Sequence, residues 1–277
     1  MGTSQSKPNP PPGAPLIPPW ANQDPPPPEP PPEPAPDPTT QPEQPGPAPP
    51  QPPIDLAPPR RFAGFRTALG HFATSGNRDD ARAALGHWAR TSTGGARANT
   101  QRVSRAARTG GAALAGFARA AAGQPPVAGA LDIRSLAGLS VDIAVDRIVD
   151  AFCPPGILDE DTARLAIGEG LTKALAGADT FDPNDIGVND VRVATLTFVA
   201  ELVFVSVAGD GGRALAAAPS PAAATQRESD IRSLVHEATD MVGTPILTAA
   251  GNVLTPDGMT ALVSRVIEAV QTEMETW

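Results

Sequence analysis

Asn189-Asp190-Val191-Arg192-Val193-Ala194-Thr195-Leu196-Thr197-Phe198-Val199-Ala200-Glu201-Leu202-Val203-Phe204-Val205-Ser206-Val207-Ala208 is the stretch on which the fold turns. It is apolar nearly all the way round a helical wheel, and a helix of that kind belongs at the buried centre of a helical protein. The segments on either side carry single apolar stripes, as helices that cover such a centre should. Upstream, Ser140 stands ahead of a helix whose Ile143, Ile148, Val149 and Phe152 are predicted to face inward, stopped by Pro154-Pro155-Gly156. Asp159 opens the next, with Ala163, Ile167, Leu171 and Leu175 in one line, and Asp182-Pro183 starts a turn. Downstream, Ser220-Pro221 and Thr255-Pro256 repeat one device, a hydroxyl N-cap followed by proline at the first helical position. They introduce stripes of Ile231, Leu234, Val235 and Met241, and of Leu262, Val263, Val266, Ile267 and Val270. Strict alternation is rare, so the fold class is all-α.

Further upstream, Phe62, Phe65, Leu69 and Phe72 recur at intervals of three and four, and Gly76-Asn77 breaks that helix. Asp79 and Asp80 suit the N-terminus of a second helix carrying Leu85 and Trp88, which ends at Gly94-Gly95. Residues 96–108 and 112–122 are predicted as two more helices separated by Gly110-Gly111. Gly123-Gln124-Pro125-Pro126 closes them and marks a module boundary. The body is therefore a bundle-like set of helices in two parts, a module at 60–123 and a domain at 124–277.

Residues 1–59 differ in kind: they hold 26 of the 35 prolines. A segment so poor in apolar side chains cannot offset the entropy of ordering itself, which predicts a disordered, largely polyproline II tail. At about 3.1 Å per residue it reaches on the order of 180 Å when fully extended. Within it, Leu16-Ile17-Pro18-Pro19-Trp20 is a compact apolar island, a docking element for a partner groove or a hydrophobe that packs back on the body.

Net charge is −9, but it is unevenly spread: −5 over residues 1–59, +9 over 60–123 and −13 over 124–277. Internal docking of the basic module on the acidic domain is one use of that opposition, and nucleic-acid binding is the other. Arg102, Arg105 and Arg108 recur near one helical face, yet no aromatic residues interleave with them for base stacking. They are candidate contacts for nucleic acid or a protein partner, with the protein partner favoured.

Catalytic and metal chemistry find little support. His71, His87 and His236 lack metal-ligand spacing, and no metal or cofactor is expected. Cys153, the single cysteine, precludes an intrachain disulfide and sits beside Pro154 at a helix C-terminus, where the dipole disfavours the thiolate. Asp159-Glu160-Asp161 lacks the spacing of a Ca²⁺ loop, and Gly209-Asp210-Gly211-Gly212 lacks the Lys-Ser/Thr of a P-loop. The expectation is a non-enzyme. No secretory signal follows Lys7, and the longest apolar stretch, residues 199–207, is interrupted by Glu201 and Ser206. A cytoplasmic location follows as an expectation. Met1-Gly2-x-x-x-Ser6 formally matches a myristoylation pattern, but without a polybasic stretch one acyl chain anchors only marginally.

Several tracts resemble the QatB family of bacterial Qat anti-phage defence systems. They are Met1-Gly2-Thr3-Ser4, residues 15–20, Arg61-Phe62-Ala63-Gly64-Phe65-Arg66, residues 84–90, Ala151-Phe152-Cys153-Pro154-Pro155-Gly156 and Ala200-Glu201-Leu202-Val203-Phe204. The resemblance implies partners: an ATPase (QatA), a QueC-like enzyme (QatC) and a TatD-like nuclease (QatD). It also implies that the QueC-like enzyme attaches a deazaguanine to the N-terminal glycine. Gly2 would then be the acceptor, with Thr3, Ser4 and Leu16 to Trp20 as docking residues. The residues alone support the same terminus, because glycine is unhindered and the tract behind it gives slack. Two other functions stay open: a nucleic-acid-binding module using the arginine-rich helices, and a scaffold whose tail recruits proline-motif-binding domains.

Overall fold

The computed structural model describes residues 61–92, 94–154 and 160–277. The tail, Gly2, Thr3, Ser4, the Leu16–Trp20 element and Asp159 lie outside the described residues. All the described residues fall in one compact unit, Leu56–Trp277. The fold is all-α: among these residues there is no β-strand, and the only extended pairing is an isolated antiparallel bridge between Ser140 and Thr180.

Helix α1 (Ala63–Ser75) leads to α2 (Arg78–His87), which passes into a π-helical turn, Trp88–Ser92. Next come α3 (Ala96–Arg102), α4 (Ser104–Ala121), α5 (Val141–Phe152) and α6 (Glu160–Ala174). The last three are α7 (Val188–Gly211), α8 (Pro221–Ala250) and α9 (Pro256–Glu275). Short 3₁₀ turns stand at Ile133–Leu136 and Ala214–Ala217.

The predicted starts and stops hold where they rest on local chemistry. Gly76 (φ 68°) takes the left-handed conformation that terminates α1, its N–H returning to Phe72 O. Asn77 caps α2 by accepting from Asp79 N at 2.9 Å. Ser220 Oγ accepts from Ala223 N at 3.1 Å, and Thr255 Oγ1 from Gly258 N at 3.2 Å, each ahead of a first-turn proline. Ser140 occupies the N-cap position of α5 but makes no side-chain cap bond.

Helix α7 is the centre. It packs chiefly against α6 and α8, and also touches α4, α9 and α1, while α4 and α9 form a second close pair. Phe198, Val199, Leu202 and Val203 are wholly enclosed or nearly so. Val188–Gly211 is long and apolar enough to cross a membrane by length and composition, a longer span than the interrupted 199–207 run suggests, and most of it is buried in the protein.

Four expectations need correction. Gly110-Gly111 does not separate two helices: α4 runs through both, and the break falls at Val103 instead. The glycines are there for packing. A Cβ on Gly110 would enter the Phe198 ring of α7, and one on Gly111 would lie 2.8 Å from Thr260 Cα of α9. Residues 209–211 do not follow the central helix, expected to end at Ala208, but form its last turn. Ile143 is exposed, because it lies about 200° round the helix from Val141 and opposite the Ala144, Val145 and Ile148 face. Met241 is also exposed: it continues the line of Leu234 and Ala238 into an open groove shared with Asp79, Arg82 and Trp277.

Candidate functional site

The best-built polar site lies where α7 ends. Asp210, almost enclosed, accepts Trp88 Nε1–H at 3.0 Å. It also receives a two-pronged ion pair from Arg102, at 2.7 Å from Nη1 to Oδ2 and 2.9 Å from Nη2 to Oδ1. Its backbone carbonyl, one of the unpaired acceptors at a helix C-terminus, takes a hydrogen bond from Arg66 Nε at 2.9 Å. Cation and helix end suit each other, since the C-terminal carbonyls carry partial negative charge. One residue thus ties α1, the π turn, α3 and α7 together.

Other arginines of the basic stretch are spent the same way. Arg78 pairs with Glu237 of α8. Arg90 Nη1 donates to the carbonyls of Glu275, at 2.5 Å, and Trp277, at 2.8 Å. Arg119 Nη1 reaches Leu254 O at 3.3 Å. The +9 region and the −13 region therefore meet at specific pairs within one hydrophobic core. Arg102, at the end of α3, pairs with Asp210, and Arg105 and Arg108 follow at exposed positions on α4.

A second polar cluster joins α7 to α8. Glu201 is 2% exposed; its Oε1 lies 2.9 Å from His236 Nε2 and 3.4 Å from Arg232 Nη1, and Oε2 has no hydrogen-bond partner among the described residues. Arg232 also stacks 4.5 Å over the Phe204 ring. His236 is thus a helix-packing residue paired with a buried carboxylate. His87, at the end of α2, has Nδ1 2.7 Å from Thr91 Oγ1, and His71 is exposed. Among the described residues no three His, Cys, Asp or Glu side chains converge as metal ligands. Cys153 is fully buried.

On the surface, Asp132 caps the 3₁₀ turn at Ile133 and holds Arg134 through Nε at 3.0 Å and Nη2 at 2.9 Å. That guanidinium hydrogen bond holds the Asp132 carboxyl below the usual carboxylate range. Arg164 is raised likewise, by its hydrogen bond to Asp150.

Sequence reasoning singled out Arg102 and His236 but not their partners. Asp210 sits in a glycine-rich tetrapeptide and receives groups from 108 and 122 positions away, so no local pattern announces it. Glu201 does carry a signal: it is the one carboxylate inside the apolar run at residues 199–207. A buried charge there requires a partner on whatever covers it.

Comparison with known families matches the chain to Qat anti-phage system associated protein QatB over residues 94–273. The matched region runs from before α3 to near the end of α9 and includes both Asp210 and Glu201. The chain belongs to the QatB family and is a component of anti-phage defence. No curated protein and no solved structure gives a significant match.

Proposed function

We propose that this QatB-family chain acts without catalysis of its own, presenting Gly2 as the acceptor for deazaguanine conjugation by a QueC-like partner. Family membership is the observation that carries the reading, since it supports partners drawn from the same defence system. The sequence supplies the rest. Gly2 has no Cβ to obstruct attack by its amine once Met1 is removed, and the proline-rich composition behind it suits a tether with slack. Leu16 to Trp20 is the apolar element that docks on the partner, and Thr3 and Ser4 enter its site beside Gly2. The ATPase and TatD-like nuclease of the system are further docking partners, in the cytoplasm.

The body's chemistry favours docking over nucleic-acid binding. Phosphate recognition needs uncommitted guanidinium groups, and Arg102 spends both terminal nitrogens on Asp210. The deciding experiment is peptide mass spectrometry of the chain co-expressed with and without the QueC-like enzyme. One adduct on Gly2 is expected, absent when Gly2 is replaced by a bulky residue that retains Met1, with loss of phage protection. An unmodified Gly2 in a fully protective system would overturn the reading.

A further inference from the structure

At the end of α7 opposite Asp210, four helix ends line a partly open cavity of about 420 Å³. It lies between the end of α4, the start of α7, the end of α8 and the start of α9. That volume falls in the range of small-molecule sites, roughly 300–1,000 Å³, which are mostly apolar with a few placed polar groups. The walls fit the description: Ala118, Ile186, Val191, Leu247, Met259 and Leu262 are apolar. Val188 stands at the cavity with 68% of its surface exposed, the most exposed large hydrophobic residue among those described.

The polar side chains are few: Arg192, Asn189, Asn252, Thr195 and Thr248. Among the described residues Arg192 is the only charged one lining the cavity. One of its terminal nitrogens is held by Asn189 Oδ1 at 2.5 Å, which leaves Nε–H and the other terminal nitrogen to donate. Asp190, two positions before Arg192 in the chain, accepts from Gly187 N at 2.8 Å. Asn252 adds a side-chain amide with no hydrogen bond to any described residue, and Thr195 donates its hydroxyl to Val191 O. A fixed guanidinium beside an apolar chamber suits a carboxylate-type end on an apolar body, because the fork geometry matches paired oxygen acceptors.

We propose that this cavity binds a small amphipathic anion, an apolar body ending in a single carboxylate, with Arg192 holding the charged end. The site is independent of the conjugation at Gly2. The test is isothermal titration of the full-length protein with octanoate and, in parallel, with 1-octanol, which shares the apolar body and lacks the charge. Octanoate should bind saturably, one per chain. Ala122→Trp and Thr248→Trp, both at exposed positions on the cavity, should each weaken it by at least about tenfold without altering the helical circular dichroism; either folded variant suffices. Arg192→Gln should weaken octanoate about tenfold and change octanol less than about twofold. Heats that never saturate, or tryptophan variants that bind like the parent, would remove the site. An Arg192→Gln variant that binds octanoate unchanged, or loses both probes equally, would remove the anion.

Discussion

Gly111→Ala separates two accounts of the same residue. In an isolated helix, alanine in place of glycine stabilises by about 1 kcal/mol, because glycine loses more backbone freedom on folding. In this protein a Cβ at Gly111 would sit 2.5 Å from Thr260 Oγ1, 2.8 Å from Thr260 Cα and 2.9 Å from Thr260 N. Two of those atoms are backbone at the start of α9, so no rotamer change relieves the contact. Carbon contacts are favourable near 3.5–4.0 Å, so α9 would have to withdraw from α4 by roughly 1 Å along one of the most extensive helix pairs in the body. Overpacking of that kind costs about 1–3 kcal/mol, and with backbone on the far side the upper value applies. Less the gain of about 1 kcal/mol in helix propensity, the net is a loss of about 2 kcal/mol. For a domain of this size that lowers Tm by roughly 4–8 °C. Gly70, within α1, is the control: a Cβ there meets nothing within 4 Å, so Gly70→Ala should raise stability by up to about 1 kcal/mol. Urea and thermal unfolding followed by circular dichroism measure both. If Gly111→Ala is as stable as the parent or more so, the close α4–α9 approach is wrong.

Asp210→Ala strands the Trp88 indole N–H and the Arg102 guanidinium together, and should cost about 2–4 kcal/mol. Asp210→Asn keeps an acceptor for Trp88 and should cost less, so equal losses in urea midpoint for the two variants, or none for either, would count against the node. Asp132 gives a pH signature. Its folded carboxyl is held low by Arg134, so its stabilising contribution is complete above the unfolded value of about 4 and is lost as pH falls through the lower folded value. The stability gap between the parent and Asp132→Asn should therefore close on acidification below about pH 4, and a gap that stays constant there would contradict the pairing.

What the sequence made legible divides along the distance over which each signal acts. Caps are written within four residues, so the Ser220-Pro221 and Thr255-Pro256 starts could be read directly. The enclosure of α7 was legible because a helix apolar on every side leaves only one place to put it. Gly110-Gly111 misled because glycine means a break only when nothing crosses it. Whether Phe198 and Thr260 approach is decided by residues 88 and 149 positions away. Ile143 and Met241 show the same limit from the other side: an apolar residue near a stripe is buried only if a neighbour reaches it.

Charge followed a parallel rule. The opposition between residues 60–123 and 124–277 could be summed from composition, but its resolution into Arg102–Asp210, Arg78–Glu237 and Arg90 on the last carbonyls depends on chain topology. These pairs differ in consequence. Arg78 and Glu237 are both about half exposed, where solvent screening leaves an ion pair worth little. Asp210 is nearly enclosed, so its partners are needed to satisfy it once buried. The excess of arginine in 60–123 is therefore not by itself a signature of nucleic acid: among the described ion pairs, its most enclosed one closes the fold around the end of α7.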